Sequence, residues 1–332
     1  ILVQVARFPA RTFAALEGEA AAVDWSPWTG GNATFRVTAA KSRLFHTAAV
    51  AERLERAASQ ATHPAPRPAP VRAPGGVGAV PAVSRGVPAL GRGAGPTPFV
   101  VRLDHDHVTI SADAGGDPLH RRGWRLATAK APIRPTVVAA ALRTIGWAGT
   151  TPLVDPFCGA GTIAIEAASL AAGLAPGRLR PFAFQAWPAF APGTWASVQG
   201  EVRAAAAARP AAVVLAADRD GGAVAATAAN AARAGVTLDL RQQPLSSLEP
   251  PDGPPGWLVA NPPWGDRTPA GRLGDLYEEL GAVVRDRLSG WGVALLVADP
   301  RMAQATGLRL RHRWATPTGG TRVHLLTTAP ER

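Results

Sequence analysis

The stretch DPFCGAGT, from Asp155 to Thr162, decides the fold of this 332-residue chain. It lies between an apolar, strand-like run and a run that predicts a helix. Gly159 and Gly161 allow the backbone to turn sharply and to approach a bound molecule closely, and the amides at the start of the helix face outward. A tight turn that only joins two elements is the alternative explanation. The stretch therefore predicts a strand, a glycine-rich turn and a helix, with a candidate ligand site at the turn.

Strand-like and helix-like runs alternate from residue 131 to the end of the chain. Such repeated β-α units predict an α/β fold with a parallel, doubly wound sheet, in which ligands bind at the carboxyl ends of the strands. The second strand, VVLAAD, ends at Asp218, and an aspartate at that position suits the hydroxyl groups of a ribose. Asp218 lies 63 residues beyond Asp155, so a large excursion separates these strands. The sequence contains no phosphate-binding G-x-x-x-x-G-K-[ST] motif.

The tetrapeptide NPPW, from Asn261 to Trp264, directly follows the fourth predicted strand. Its two prolines fix φ and lack amide hydrogens, so the backbone carbonyls stay available as acceptors in a rigid loop. The amide oxygen of Asn261 and a proline carbonyl can accept both hydrogens of a planar exocyclic amine, and Trp264 can stack on the base that carries it. A proline-stiffened turn without chemistry is the alternative. The motif predicts a clamp for an amine.

Basic residues outnumber acidic residues by 35 to 24, which gives a formal net charge of +11. Residues 1–130 carry 16 basic and 9 acidic groups, whereas residues 131–332 carry 19 and 15. The smaller, amino-terminal part is therefore the more basic one. This asymmetry favours a polyanion-binding module joined to a more neutral catalytic part. An arginine-rich surface without a partner is the alternative.

The sequence also excludes several classes of protein. Cys158 is the single cysteine, so neither an internal disulfide nor a cysteine-based zinc site is possible. The ligand-type side chains from Asp104 to His107 alternate between two faces of a predicted hairpin, so we expect no metal site. Runs of about 18 apolar residues are all interrupted by charge or proline, which excludes a membrane-spanning helix. In the absence of a signal-peptide pattern, we predict a cytoplasmic protein.

Residues 64–98 form a compositionally distinct segment with nine prolines, seven glycines and no acidic residue. This composition cannot bury a core and predicts a flexible linker or loop insertion. A strand, FRVTAA, and a helix from Thr47 to Ser59 are predicted before it. Two strands, FVVRL and HVTISAD, are predicted after it, and the DHD tripeptide between them predicts a hairpin.

Longer strings extend these two motifs into a family resemblance. KSRLFHTAAVAERL (41–54), VTISADAGGDPLHRRGWRLATAKAPIRPTVVAAAL (108–142), RPFAFQAWPAF (180–190) and NPPWGDR (261–267) resemble segments of the THUMP-domain RNA methyltransferases. These enzymes are class I S-adenosylmethionine-dependent methyltransferases that modify the N2 amine of guanine in tRNA or 23S ribosomal RNA. The resemblance covers nearly the whole chain except the proline- and glycine-rich segment.

The resemblance implies a domain organisation. It implies a Rossmann-like class I methyltransferase domain over residues 131–332, with a seven-stranded, mostly parallel sheet. A smaller α+β amino-terminal domain would comprise a partial THUMP-like RNA-binding region (1–62), the proline- and glycine-rich linker or insertion (63–98), and a β-hairpin with a basic connector (99–130). S-adenosylmethionine would be the cofactor and RNA the partner, and nothing indicates an obligatory protein partner.

The resemblance also assigns roles to individual residues. The methionine part of the cofactor would be held by Asp155, Pro156, Phe157, Cys158, Gly159, Ala160, Gly161 and Thr162, and its ribose side by Asp218 and Arg219. The target amine would be positioned by Asn261, Pro262, Pro263 and Trp264. RNA would be bound by Arg121, Arg122, Trp124, Arg125 and Arg267. No metal ion is implied.

Other functions are compatible with these motifs, and the chain departs from the family pattern at several positions. A planar amine is also present in adenine N6 and in a protein glutamine, and a non-catalytic RNA-binding assembly factor would have the same basic module. The family commonly has an acidic residue after its third strand, where this chain has Gln243 and Pro244. Trp264 stands where many relatives have tyrosine, and Pro135 replaces the usual glutamate in the connector.

Overall fold

A computed structural model describes residues 1–60, 96–126, 133–207, 212–264 and 270–328. These residues divide into two compact units. The first unit comprises Ile1–Pro118 and Arg180–Ala196, and the second comprises Leu119–Leu179 and Ser197–Arg332. Among the described helices, none has the length and apolar character needed to cross a membrane.

The first unit contains a four-stranded sheet and two helices in its described residues. Their bounds are β1 (Leu2–Pro9), α1 (Phe13–Ala21), β2 (Ala33–Ala40), α2 (Thr47–Gln60), β3 (Thr97–Asp104) and β4 (His107–Asp113). The strand order is β1-β4-β3-β2, with β2 and β3 parallel and the other pairs antiparallel. The helix α1 was not predicted, because its sequence FAALEGEAA has few large apolar residues to mark a buried face. Thr12 caps it by accepting a hydrogen bond from the amide of Ala15 at 3.2 Å.

One face of this sheet is covered and the other is open. Alternate strand residues such as Phe99, Val101 and Ile110 pack with Leu16 of α1 and Leu54 of α2, and all five are at most 1% exposed. The hairpin between β3 and β4 confirms the predicted turn: its two central residues, at positions 105 and 106, both have positive φ. This is the backbone conformation of the tight turns that match strand twist.

The second unit is built on a seven-stranded sheet in the described part of the chain. Its elements are α3 (Pro135–Thr144), β5 (Leu153–Asp155), α4 (Thr162–Ala171), the part of α5 (Pro192–Ala207) after residue 196, β6 (Val214–Asp218), α6 (Gly221–Ala234), β7 (Asp239–Gln242), β8 (Trp257–Ala260), α7 (Ala270–Arg287), β9 (Gly292–Val297), β10 (Leu310–Thr318) and β11 (Thr321–Thr328). The strand order is β10-β11-β9-β8-β5-β6-β7. Five strands are parallel, and β11 is antiparallel to both β9 and β10.

This topology confirms the predicted Rossmann-like, mostly parallel sheet and locates its crevice. The chain runs outward from β5 through β6 to β7, and then returns to the other side of β5 for β8 and β9. Ligands of such sheets bind beyond the carboxyl ends of the strands where the order reverses. Helices cover both faces: α3 and α4 pack on one side, and Tyr277 and Leu280 of α7 lie in the core on the other.

The division into units differs from the sequence-based bounds in two places. Residues 119–126 of the connector belong to the second unit, and residues 180–196 belong to the first. Arg180 explains the second assignment, because its buried guanidinium donates to the carbonyls of Gly115 and Asp117 at 2.6 Å each. The predicted linker at 63–98 lies mostly outside the described residues, but β3 already begins at Thr97.

Candidate active site

Four neighbouring strands present polar residues where they end. Asn261 follows β8, Asp155 ends β5, Asp218 ends β6 and Gln243 follows β7. These strands are adjacent in the order β8-β5-β6-β7, and neighbouring strands lie about 4.8 Å apart. The four residues therefore form a row along the carboxyl edge of the sheet, at the crevice that the topology predicts.

The glycine-rich loop is held in place beside this row. The amide of Gly159 donates to Oδ2 of Asp218 at 3.1 Å. Gly161 caps α4 with φ of +84°, and a Cβ atom there would lie 2.8 Å from Cγ2 of Thr227. Only glycine fits such a close approach with a left-handed backbone. The loop therefore has a fixed shape beside Asp218.

Two polar residues of α6 fix the loop from behind, and sequence analysis missed both. Oγ1 of Thr227 donates to the carbonyl of Gly159 at 2.9 Å, and Nδ2 of Asn230 donates to the carbonyl of Ala160 at 2.9 Å. Both side chains are fully buried. The available signal was their spacing, since they lie three residues apart in the alanine-rich helix GGAVAATAANAARA and so share one face.

Asp155 is a buried acid with one unpaired oxygen. It is 1% exposed, and Oδ1 accepts from the amide of Phe157 at 3.3 Å. Oδ2 is buried and has no hydrogen-bond partner among the described residues. Burial, aided by the nearby charge of Asp218, raises the pKa of Asp155 to about 8. A cationic group placed at Oδ2 would restore the ionised form, so the site fits a ligand with a positive charge.

Asp218 is suited to a diol. Its two oxygens accept from the amides of Gly159 and Asp220, at 3.1 and 3.0 Å, which orients the carboxylate. Each oxygen keeps a second lone pair that can accept a hydrogen bond from a hydroxyl group. The side chain of the following residue, Arg219, is exposed. The assignment of Asp218 and Arg219 to the ribose side of the cofactor stays a prediction.

The NPPW segment forms the other end of the row. Oδ1 of Asn261 is buried without a hydrogen-bond partner in the part of the chain that the structure describes. Pro262 is buried, and the hydroxyl of Tyr277 donates to the carbonyl of Pro263 at 3.4 Å. Trp264 is half-buried against the core, and its indole Nε1 donates to the carbonyl of Leu296 at 3.3 Å. The segment is thus anchored on both sides while an acceptor of Asn261 stays unpaired.

Cys158 is a packing residue rather than a nucleophile. Its side chain is buried at 5% exposure, and its sulfur lies 3.5 Å from Oγ1 of Thr227. Burial raises the pKa of its thiol to about 12, so the reactive thiolate is absent near neutral pH. Its contribution to the loop is therefore its small apolar volume.

The structure corrects part of the expected RNA-binding set. Trp124 is 2% exposed and packs with Ile165, so its ring has no face for a base. Arg122 makes two hydrogen bonds of 3.0 Å to the buried carboxylate of Glu166, and Arg125 donates to the hydroxyl of Thr162. The basic and aromatic residues from Arg121 to Arg125 predicted RNA binding, because a sequence does not show which of its side chains are buried. These three residues stabilise the second unit instead.

Arg121 and Arg267 complete the set of residues that were expected to bind RNA. Arg121 is exposed on the second unit, and Arg267 lies outside the described residues. Among the described residues, no cluster of three histidine, cysteine or acidic side chains could hold a metal ion. The Asp104 to His107 group instead makes local contacts, such as that between Asp104 and the ring of His105 at 2.8 Å.

The fold and this row of groups define the class of protein. A glycine loop beside the buried Asp155, with Asp218 and the NPPW segment at neighbouring strand ends, lies at the switch point of a seven-stranded sheet, as in a class I methyltransferase. S-adenosylmethionine is the cofactor, and its cationic groups and ribose hydroxyls suit the acceptor oxygens of Asp155 and Asp218. The residues from Asp155 to Gly161, with Asp218, would hold it.

Comparison with known proteins gives the particular family. The model for UPF0020, the RMKL-like methyltransferase domain, matches residues 122–324. The chain belongs to this family. Ribosomal RNA large subunit methyltransferase K/L of Chromohalobacter salexigens is 35% identical over 73% of the chain and 35% of its own length. Putative RNA methyltransferase slr0064 of Synechocystis is 33% identical over 68% of the chain and 59% of its own length. The chain thus spans about a third and three-fifths of these relatives.

Solved structures agree with the fold over the whole chain. A possible methylase from Clostridium difficile superposes with a TM-score of 0.75 at 25% identity, covering 100% of this chain and 84% of that one. SMU.472, a putative methyltransferase solved with S-adenosylhomocysteine, gives 0.73 at 26% identity, with coverage of 100% and 84%. A predicted N6-adenine-specific DNA methylase from Listeria monocytogenes gives 0.73 at 26%, with coverage of 98% and 81%.

Proposed function

We propose that this protein transfers a methyl group from S-adenosylmethionine to the exocyclic N2 amine of a guanine in tRNA or 23S ribosomal RNA. The observation that carries the proposal is the buried, unpaired Oδ1 of Asn261 at the end of the strand next to Asp155. An unpaired buried acceptor costs about 1–3 kcal/mol, and a hydrogen bond from an amine would recover that cost. The curated relatives named for ribosomal RNA support RNA as the substrate.

The amine clamp uses two acceptors of the NPPW segment. Oδ1 of Asn261 would accept one hydrogen of the planar amine. Because Tyr277 already occupies the carbonyl of Pro263, the carbonyl of Pro262 would accept the other. With both hydrogens held, the nitrogen lone pair points away from the ring plane toward the cofactor, which supplies an electrophilic methyl group. Such alignment can contribute several kcal/mol, about 7–11 in favourable intramolecular cases.

Methyl transfer to this amine needs little acid–base catalysis from the site. The amine is neutral when it attacks and loses its proton during or after methyl transfer, so no strong base is needed at the start. Asn261 stabilises the partial positive charge that develops on the nitrogen through its amide oxygen. The target base would be turned out of its helix onto the face of Trp264, at a cost of a few kcal/mol.

The open face of the first unit's sheet offers a surface for the RNA backbone. Arg7 and Arg102 are both cross-strand partners of Thr109, so the three side chains form one row on that face. Arg36 lies on the same face of β2, two residues before the partner of Arg102. All three arginines are exposed, and none forms an ion pair among the described residues. Cationic side chains so placed bind phosphates irrespective of base sequence.

Asp104 and Asp113 are the acidic residues on this open sheet face. Asp104 lies 2.8 Å from the ring nitrogen Nδ1 of His105. The three arginines outnumber these two acids on the face. A variant with glutamine at positions 7, 36 and 102 is expected to bind RNA about tenfold or more weakly at low salt. Its affinity for S-adenosylhomocysteine should be unchanged, and an unchanged RNA affinity would remove this surface from the proposal.

The central experiment is Asn261→Ala with RNA from cells that lack the protein. The variant is expected to lose at least 100-fold in methyl transfer, since an acceptor aimed at the developing charge is removed. Calorimetry should show near-normal binding of S-adenosylhomocysteine. Asn32→Ala, which changes an exposed asparagine of the first unit, is the matched control and should keep full activity. Near-full transfer by Asn261→Ala would reject the clamp.

Mass spectrometry of the product nucleosides identifies the acceptor. N2-methylguanosine is the expected product. N6-methyladenosine is the second candidate, because adenine presents the same planar amine and the Listeria neighbour is described as an adenine methylase. Detection of N6-methyladenosine alone would replace the guanine assignment and leave the clamp intact.

A further inference from the structure

The positive charge of the carboxyl-terminal part of the chain is concentrated in its last two strands. Residues 131–299 carry 13 basic and 14 acidic groups, whereas residues 300–328 carry five arginines and no acidic residue. The strands β10 and β11 belong to this last stretch, and β10 is the outermost strand of the sheet. The surplus of positive charge therefore lies at one edge of the sheet, beside an otherwise nearly neutral catalytic part.

Four of these five arginines are exposed and without a charged partner in the part of the chain that the structure describes. They lie on β10, on β11 or directly before β10, and we call them the β10–β11 rim: Arg309, Arg311, Arg313 and Arg322. None of the four forms an ion pair with a described residue. The fifth, Arg301, lies 3.0 Å from the carboxylate of Asp299, which compensates its charge. The rim thus presents four arginines that are available for an anionic partner.

The rim reaches the carboxyl edge of the sheet, where the candidate site lies. His324 pairs with Val297, the last residue of β9, and β11 runs antiparallel to β9. Arg322 comes two residues earlier in β11 and so lies beyond the carboxyl end of β9. The NPPW segment leaves β8 on the other side of β9, so two strand spacings, about 10 Å, separate the two strands. An arginine at this position can contact phosphates next to a base that the NPPW segment holds.

We infer that the β10–β11 rim binds RNA phosphates that flank the target nucleotide. An arginine that neutralises a phosphate releases bound counterions, and this gain in affinity does not depend on the base sequence. Because β10 is an edge strand, arginines on either of its faces are accessible to a nucleic-acid backbone that passes along the edge. The inference rests on the RNA substrate of the proposed function but not on guanine, and it adds a contact within the catalytic unit itself.

Two other roles are compatible with arginines on an edge strand. Charged side chains on such a strand can prevent it from pairing with a second copy of the chain. An arginine cluster can also bind an acidic protein surface. Both roles predict that RNA affinity is unchanged when the arginines are removed, and the first predicts that the variant self-associates. RNA affinity therefore separates the inference from both.

The test is RNA binding by a variant in which Arg311, Arg313 and Arg322 are replaced by glutamine. Binding of tRNA and 23S ribosomal RNA from cells that lack the protein is measured between about 50 and 200 mM salt, with S-adenosylhomocysteine present. The variant should bind at least about tenfold more weakly, and its slope of log affinity against log salt should fall by roughly 2–3. The corresponding triple lysine variant should keep the wild-type values, because phosphate contacts require charge. The melting temperatures of all three proteins should agree.

Arg203→Gln is the matched control for Arg322→Gln. Both changes remove one exposed arginine of the second unit that has no ion pair among the described residues, but Arg203 lies on α5 rather than on the last two strands. Arg322→Gln should lower the salt slope by about 1, and Arg203→Gln should leave it unchanged. In methyl-transfer assays Arg322→Gln should raise the KM for RNA with kcat nearly unchanged, because the contact is the same in the ground and transition states.

Equal RNA affinity and equal salt slope for the wild type and the triple glutamine variant would overturn the inference, whether or not the variant self-associates. If the triple variant does not fold, the single variants decide, and equal salt slopes for Arg322→Gln and Arg203→Gln also overturn it. RNA affinity that depends on the rim, with N6-methyladenosine as the product, would reject the guanine assignment alone. Normal RNA binding by the triple variant, with N2-methylguanosine as the product, would reject the rim alone.

Discussion

Replacing Asp155 by asparagine should remove a pH dependence of stability. The pKa of this acid is about 8 in the folded chain and 3.8 as the ordinary value, because burial disfavours its charge. Between these two values the folded protein holds a proton that the unfolded chain has lost. Stability therefore falls as pH rises through this window, and the loss is complete above the folded pKa. Asparagine has a similar shape and does not titrate.

The expected magnitude follows from the two pKa values. Each pH unit inside the window is worth about 1.4 kcal/mol for one proton. Between about pH 5.5 and 7.5 the wild-type protein should lose roughly 2–3 kcal/mol more than Asp155→Asn, since the folded group begins to ionise near the upper limit. Urea unfolding of both proteins at the two pH values measures this difference. Groups that titrate elsewhere cancel in the comparison.

Ligand binding gives a second measurement of the same proton. If a cationic part of the cofactor lies at Oδ2, binding ionises Asp155 and releases about 0.8 proton at pH 7.5. Calorimetry of S-adenosylhomocysteine in buffers of different ionisation enthalpy should detect this release, and Asp155→Asn should show almost none. Parallel stability curves for the two proteins, together with equal proton release, would refute the buried, protonated acid.

Two further changes and one control variant test the structure around the site. Gly161→Ala should destabilise the protein by about 1–3 kcal/mol and weaken S-adenosylhomocysteine binding, because its Cβ would meet Thr227 at 2.8 Å with φ of +84°. Gly200→Ala in α5 has open space and should be neutral or slightly stabilising by thermal melting. Glu166→Gln should cost about 3–5 kcal/mol in urea unfolding, since it leaves the buried Arg122 charge without its partner. A Glu166→Gln protein as stable as the wild type would contradict a buried ion pair between Arg122 and Glu166.

Elements with a clear hydrophobic pattern were predictable from sequence, and those without one were not. Strands β5, β6, β8 and β9 are continuous apolar runs bounded by turn residues, which is typical of buried parallel strands. Helices α1 and α5 were missed. The sequence of α5 is rich in alanine and interrupted by glycine, so no apolar stripe distinguishes it from a loop.

Candidate site residues were predictable where the backbone conformation depends on residue type. Glycines and consecutive prolines directly after strands are visible in the sequence, and they pointed to Asp155 and Asn261 as candidates. The direction of a charged side chain depends on the surrounding three-dimensional packing. Arg122 and Arg125 were therefore assigned to RNA, although Glu166, more than 40 residues later, draws Arg122 inward. The same limitation hid the contacts of Thr227 with the glycine loop.

The chain passes between its two units three times, near residues 118, 179 and 196. Neither unit is therefore a contiguous piece of gene, and a fragment ending at residue 118 would lack the guanidinium of Arg180 that ties up the carbonyls of Gly115 and Asp117. Cutting or grafting the amino-terminal unit requires transplanting a second, distant segment with it. A single recombination point between the units would therefore leave at least one of them without part of its own chain.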